Sequence, residues 1–247
     1  MEQSGPRWKG KGSAAIALSD PMSNIVLQLQ SSLLQSKSAI ILSDCNAILE
    51  AGLEQVEHVN RACFGRPIAT VEKDKQWFQL SFEESFFLLH ELKCIMILGE
   101  DVDHPKSVEE IWMHMKFKRE NFPYLYKGYS HLRRKNWVVR SGSQYGVDFM
   151  AYRHHPALVH SEYAVLVLSA DGGASNDRLR AWSDVHCSIR LCGSVAKTLL
   201  ILTIKKNGSS LDSSSCLDQF SVEERTISRW RPEGCREDQM TIGRRNE

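Results

Sequence analysis

The residues best suited to chemistry lie in YGVDFMAYRHHPALVHSEYAVLV (145–167) and, some thirty residues later, in GSVAKTLLILTI (193–204). They bring tyrosine, histidine and lysine into or beside apolar runs. Histidine, with a reference pKa of about 6.5, exchanges protons near neutrality, whereas tyrosine near 10 and lysine near 10.4 start protonated. Such a set can move protons and steady a developing anion. Each residue also has an ordinary role: Tyr152 packing as a strand aromatic, His160 capping a strand start, Lys197 as a solvated edge charge. A metal site on His154, His155 and His160 is disfavoured, because adjacent strand residues point to opposite faces.

The flanking patterns say which elements hold these residues. From Trp137 onward, WVVR, YGVDFMAYR and YAVLVLSA read as strands, punctuated by Gly142 and Gly146. Asp177 to Leu191 reads as a helix, TLLILTIKK as a buried strand, Asn207 to Ser215 as a Ser-rich loop, and RTISRW as a last strand. Upstream, RPIATVEKDKQWFQL has the content of short strands around a charged turn. Ser81 with Glu84 and Ser107 with Glu110 have capping-box spacing, so helices are expected from Phe82 and through IWMHMKFKRE. Phe86, Phe87 and Leu89 give the first of these a buried face, and Pro123 marks the start of another. The expected fold is an α/β C-terminal domain, a mixed sheet flanked by helices, behind a smaller α+β N-terminal domain. The expected divisions are a disordered segment over 1–36, the N-terminal domain over 37–136, the second domain over 137–232 and a mobile tail over 233–247.

YGVDFMAYR, the HSEYAVLV run and the Ala196-Lys197 strand start, in that order, resemble the catalytic domain of the tRNA-splicing endonucleases. The resemblance extends weakly over roughly 62–232. It implies an endonuclease-like fold and a catalytic trio at Tyr152 rather than Tyr145, His160 and Lys197. Arg190, seven residues before Lys197, matches an arginine that stacks on a flipped intron base, and Trp230 falls near the second stacking position. The eight-residue step from Tyr152 to His160 is most similar to the eukaryotic subunit that cuts the 5′ splice site. Gln144 departs from the pattern, standing where relatives more often carry a basic or aromatic residue.

The trio suits the implied reaction. Cleavage of RNA by its own 2′-hydroxyl needs a base for that proton, an acid for the departing 5′-oxygen and a cation near the phosphate, and no metal or cofactor. The resemblance makes tyrosine the base and histidine the acid, which calls for a cation such as Lys197 or Arg153 to favour phenolate. It implies 2′,3′-cyclic phosphate and 5′-hydroxyl products, an intron-containing precursor tRNA as substrate, and a heterotetramer with other endonuclease subunits, joined by pairing of the final strand. The alternative is a non-catalytic scaffold or RNA-binding subunit of the same complex.

Composition sets the outer limits. Lys and Arg number 31 against 30 Asp and Glu, and a net charge of +1 provides no global field to attract a polyanion. Any RNA surface must then be local; KFKR (116–119) and RRK (133–135) could contribute or could be solvated helix faces. The seven cysteines are scattered, without a C-x-x-C pair, and read as reduced thiols. The apolar runs fall far short of the roughly 20 residues of a membrane helix, and no secretory signal is expected. No G-x-S-x-G, P-loop, H-E-x-x-H or G-x-G-x-x-G occurs. A nuclear location is expected on the family's account, with a cytoplasmic share left open.

Overall fold

The computed structural model describes residues 5–44, 46–69, 75–99, 104–172, 179, 181–194, 197–207 and 211–227. The first unit runs α1 (Ser13–Ser19), α2 (Met22–Ser36), β1 (Ala39–Leu42), β2 (Ala47–Gly52), α3 (Leu53–Arg61), β3 (Arg66–Ile68), β4 (Lys75–Leu80), α4 (Phe82–Phe86) and β5 (Met96–Leu98). Its sheet has the order β3-β4-β2-β1-β5, in which β1 and β5 are parallel and the other pairs antiparallel. Ser81 and Glu84 form the expected reciprocal cap of α4, which widens into a π turn over Phe87–Glu91. No helix among the described residues is long and apolar enough to cross a membrane.

The expectation of disorder over 1–36 fails for the described part of that segment. Met22, Ile25, Leu29 and Leu33 recur at helical spacing and are buried, so α2 has an apolar stripe to seat on the first unit. Its packing gain outweighs the polar Ser and Gln residues on its outer face. The 233–247 tail lies outside the described residues.

The second unit contains α5 (Val108–Lys118), α6 (Phe122–Arg134), β6 (Val138–Ser141), β7 (Phe149–Tyr152), β8 (Tyr163–Ser169), α7 (Trp182–Ser194), β9 (Thr198–Lys206) and β10 (Phe220–Ile227). Ser107 and Glu110 cap α5 as expected. The sheet order is β10-β9-β8-β7-β6, again with a single parallel pair, β8 with β9. These two strands are nearly continuous buried runs because both faces are covered. One face carries α6; the other carries a smaller cluster of Val147, Met150, Leu166, Leu199 and Ile201 with Cys192 and Ile189 of α7. Gly128 lets α6 lie close: a Cβ there would stand 2.8 Å from a Val167 methyl.

α6 packs on β6, β8, β9 and β10 and also on α4, so a helix expected in the first domain covers the second sheet. Phe86, Trp112, Phe122, Tyr126 and Tyr129 fill the space between the two units. Arg133 stacks on Phe64 at 4.1 Å and donates to the Ala62 and Cys63 carbonyls at 3.2 and 3.1 Å. Arg140 of β6 donates to the Cys63 and Gly65 carbonyls at 3.1 and 2.8 Å. The α3–β3 turn is thereby fastened to the second unit. The described cysteines are free thiols.

Candidate active site

The strand register brings three ends together. β7 runs antiparallel to β8, with Ala151 opposite Tyr163, so Tyr152 ends β7 beside the entry to β8. β9 runs parallel to β8, with Thr198 opposite Tyr163, so Lys197 stands at the same end of the sheet. His160 lies three residues ahead of Tyr163. The connection is fixed by the backbone: Glu162 N–H donates to Ala151 at 2.9 Å and Thr198 N–H donates to Glu162 at 3.1 Å.

Ser161, a buried residue that the sequence reading did not single out, is placed between Lys197 and Tyr152. Lys197 Nζ donates to its carbonyl oxygen at 2.6 Å, and its side chain lies near enough to the Tyr152 phenol to pull against the rise in its pKa. His160, next in the chain, projects as an exposed side chain. Tyr152 is half-buried and packs against both apolar clusters. Tyr145, also half-buried, lies close enough to act on the Tyr152 phenol through its charge.

Burial raises the Tyr152 phenol above its usual range, against the opposing pull of Ser161 and Arg140. The Lys197 ammonium falls to about 8 because burial disfavours its charge and Arg7 and Lys9 repel it. The His160 imidazole is also lowered, by desolvation first and then by Lys9, Lys197 and Arg7. The phenol is raised by burial, whereas the imidazole and the ammonium are lowered by desolvation together with the positive charge of Arg7 and Lys9.

Arg153 does not serve the Tyr152 phenol as expected. It makes a two-pronged bond to Glu162 at 2.9 and 3.1 Å and stacks over Trp137 at 4.4 Å. The reason is strand alternation, which sends neighbouring side chains to opposite faces. His154 Nε2 bonds the Asp20 carbonyl at 2.9 Å and His155 Nδ1 accepts from Ala157 N–H at 3.1 Å, so both are engaged in holding loops. Arg190 is exposed on α7, which ends at Ser194, three residues before Lys197 in sequence. Trp230 lies outside the described residues.

The basic runs are spent within the protein. Lys116 pairs with Asp212, Lys118 with Asp44 and Arg119 with Glu83. Arg134 pairs with Glu91 and Lys135 with Glu224, while Arg133 is buried. Arg7 and Lys9, whose charges act on His160 and Lys197 at the strand ends, were also missed by sequence reading. Their only local signal is the alternation of Arg7-Trp8-Lys9.

A family model described as tRNA intron endonuclease, catalytic C-terminal domain, matches residues 122–211, and one described as tRNA intron endonuclease, N-terminal domain, matches 39–112. The first begins at α6, in keeping with the packing of that helix on the second sheet. The chain is 56% identical over 238 residues to tRNA-splicing endonuclease subunit Sen2-2 of Arabidopsis thaliana, covering 96% of this chain and 93% of the relative. It is 54% identical over 239 residues to subunit Sen2-1 of the same plant, covering 95% and 98%. The Sen2 subunit of Mus musculus is 29% identical over 161 residues, 63% of this chain and 35% of that protein. The chain thus belongs to the tRNA-splicing endonuclease family, on its Sen2-like branch.

Proposed function

We propose that this chain is the catalytic Sen2-like subunit of a tRNA-splicing endonuclease, cutting intron-containing precursor tRNA at the 5′ splice site. The observation that carries the residue assignment is the strand register that brings Tyr152, His160 and Lys197 to one end of the second sheet, with Lys197 bonded to the Ser161 carbonyl next to His160. In the reaction the 2′-oxygen attacks phosphorus and the bond from phosphorus to the 5′-oxygen breaks. The 2′-proton leaves to Tyr152, and His160 gives its proton to the 5′-oxygen. Lys197 offsets the charge that builds on the phosphate. The products are a 2′,3′-cyclic phosphate and a 5′-hydroxyl, a lyase-type transesterification that uses no cofactor or metal.

The depressed imidazole makes a ready proton donor once charged, and an entering phosphate restores its charge. The raised phenol means that the pair, phenolate with imidazolium, is a minor form, which Arg140 favours by lowering the phenol against its burial. Arg190 and Trp230 would clamp a splayed intron base by stacking. Partner subunits complete a heterotetramer that acts in the nucleus.

The test is cleavage of an intron-containing precursor tRNA in EDTA by the chain reconstituted with its partners, with the ends mapped. A 5′-junction cut leaving a cyclic phosphate, lost in His160→Ala while RNA binding and the 3′ cut persist, is expected. Loss of the 3′ cut instead would reverse the splice-site assignment. Equal cutting by both proteins would move catalysis to another subunit.

A further inference from the structure

Residues 7–9 form the outermost layer of the site. Trp8 makes an antiparallel bridge to Val159. On either side, His160 N–H donates to the Arg7 carbonyl at 3.0 Å and Lys9 N–H to the Leu158 carbonyl at 2.9 Å. Arg7 is therefore paired directly across from His160, where side chains on the same face have Cβ atoms roughly 4.5 to 5.5 Å apart. Alternation sends half-buried Trp8 to the side of buried Val159 and leaves Arg7 and Lys9 exposed on the side of His160. The segment is also anchored farther on. Asp20, at the end of α1, is held by His154 through its carbonyl and by Arg61 through its carboxylate at 2.5 Å.

We propose that Arg7 and Lys9 are substrate-binding residues of the active site, gripping RNA phosphates beside the scissile one. The proposal rests on the catalytic reading of Tyr152, His160 and Lys197 and adds a second strand of contacts to it. Arg7 and Lys9 are two residues apart on an extended segment, about 7 Å along the chain, a spacing comparable with the step between neighbouring phosphates of a single strand. Among the described residues, the charges that bear on His160 and Lys197 are all positive. The nearby Glu162 carboxylate is taken up by Arg153. Arg7, Lys9 and Lys197 place positive charge around His160, and an entering phosphate would be drawn to it and would favour the charged forms of His160 and Lys197. This cluster puts positive charge beside the site, which a net charge of +1 does not do for the chain as a whole.

The experiment compares wild type, Arg7→Gln/Lys9→Gln, Arg7→Lys and His160→Ala in the reconstituted complex, on intron-containing precursor tRNA over a range of salt and pH. The double variant should raise KM by about tenfold with little change in kcat. Its log(kcat/KM) against log[salt] slope should flatten by about 1 to 2, close to one charge per lost phosphate contact. Its alkaline limb should move to higher pH, because Lys197 loses two repelling neighbours. Arg7→Lys should keep the wild-type salt slope. An unchanged KM and salt slope in the double variant, with His160→Ala inactive, would overturn the phosphate grip and leave the catalytic reading standing. If His160→Ala cuts like wild type, the catalytic reading fails and the proposal falls with it.

Discussion

The two sheets share a plan and differ at one edge. Each has five strands and a single parallel pair, β1 with β5 in the first and β8 with β9 in the second. Each parallel pair is led in by lysine: Lys37 and Lys93 precede β1 and β5, and Lys197 precedes β9. Lys37 and Lys93 are exposed residues in left-handed conformations, with φ of 51° and 49°, where the chain leaves a helix. Lys197 is half-buried, bonded to the Ser161 carbonyl and pressed by Arg7 and Lys9, which lowers its ammonium to about 8. Residue type is the same in both places. Burial and neighbours lower the ammonium of one lysine and leave the others as exposed turn residues.

Replacing the lysines separates these roles. Lys197→Ala is expected to lower single-turnover cleavage by about 10²- to 10³-fold, the usual loss when one group that stabilises transition-state charge is removed. Lys37→Ala should leave the rate within twofold. Arg133→Met, which strips two carbonyls of their donor and Phe64 of its cation, should cost about 2 to 4 kcal/mol in chemical denaturation. The same change should affect cleavage only through the fraction folded.

The pH profile sharpens the contrast further. Lys197 must be charged to act, so kcat/KM should fall as pH rises through about 8, and Lys197→Arg should carry the plateau to higher pH. An alkaline limb that stays in place in Lys197→Arg would assign it to another group. The smallest effect belongs to the first sheet: Lys37→Gly relieves a left-handed residue and should stabilise by about 1 kcal/mol, read from a denaturant midpoint.

Local signals were legible in the sequence. Both capping boxes form, and the apolar runs YAVLVLS and TLLILTIKK become the buried central strands. The resemblance picked out the trio, whose side chains the strand register gathers at one end. The Met22-Ile25-Leu29-Leu33 stripe was also present in the sequence, but the surrounding Ser, Gln and Gly content masked it. Other features depend on distant partners and had no local trace. The bridge from Trp8 to Val159, the pairing of Lys116 with Asp212 and the Lys197 bond to a backbone carbonyl are set by the assembled fold. Arg153 was assigned to the wrong neighbour because proximity in sequence across a strand means opposite faces in space.

The most direct measurement is the single-turnover cleavage rate at saturating reconstituted complex for His160→Ala against Lys37→Ala/Lys93→Ala, with tRNA binding measured in parallel. The first should lose about 10²- to 10⁴-fold in rate with binding retained, and the second should match wild type. Equal rates in all three proteins would contradict a catalytic centre at the ends of the second sheet.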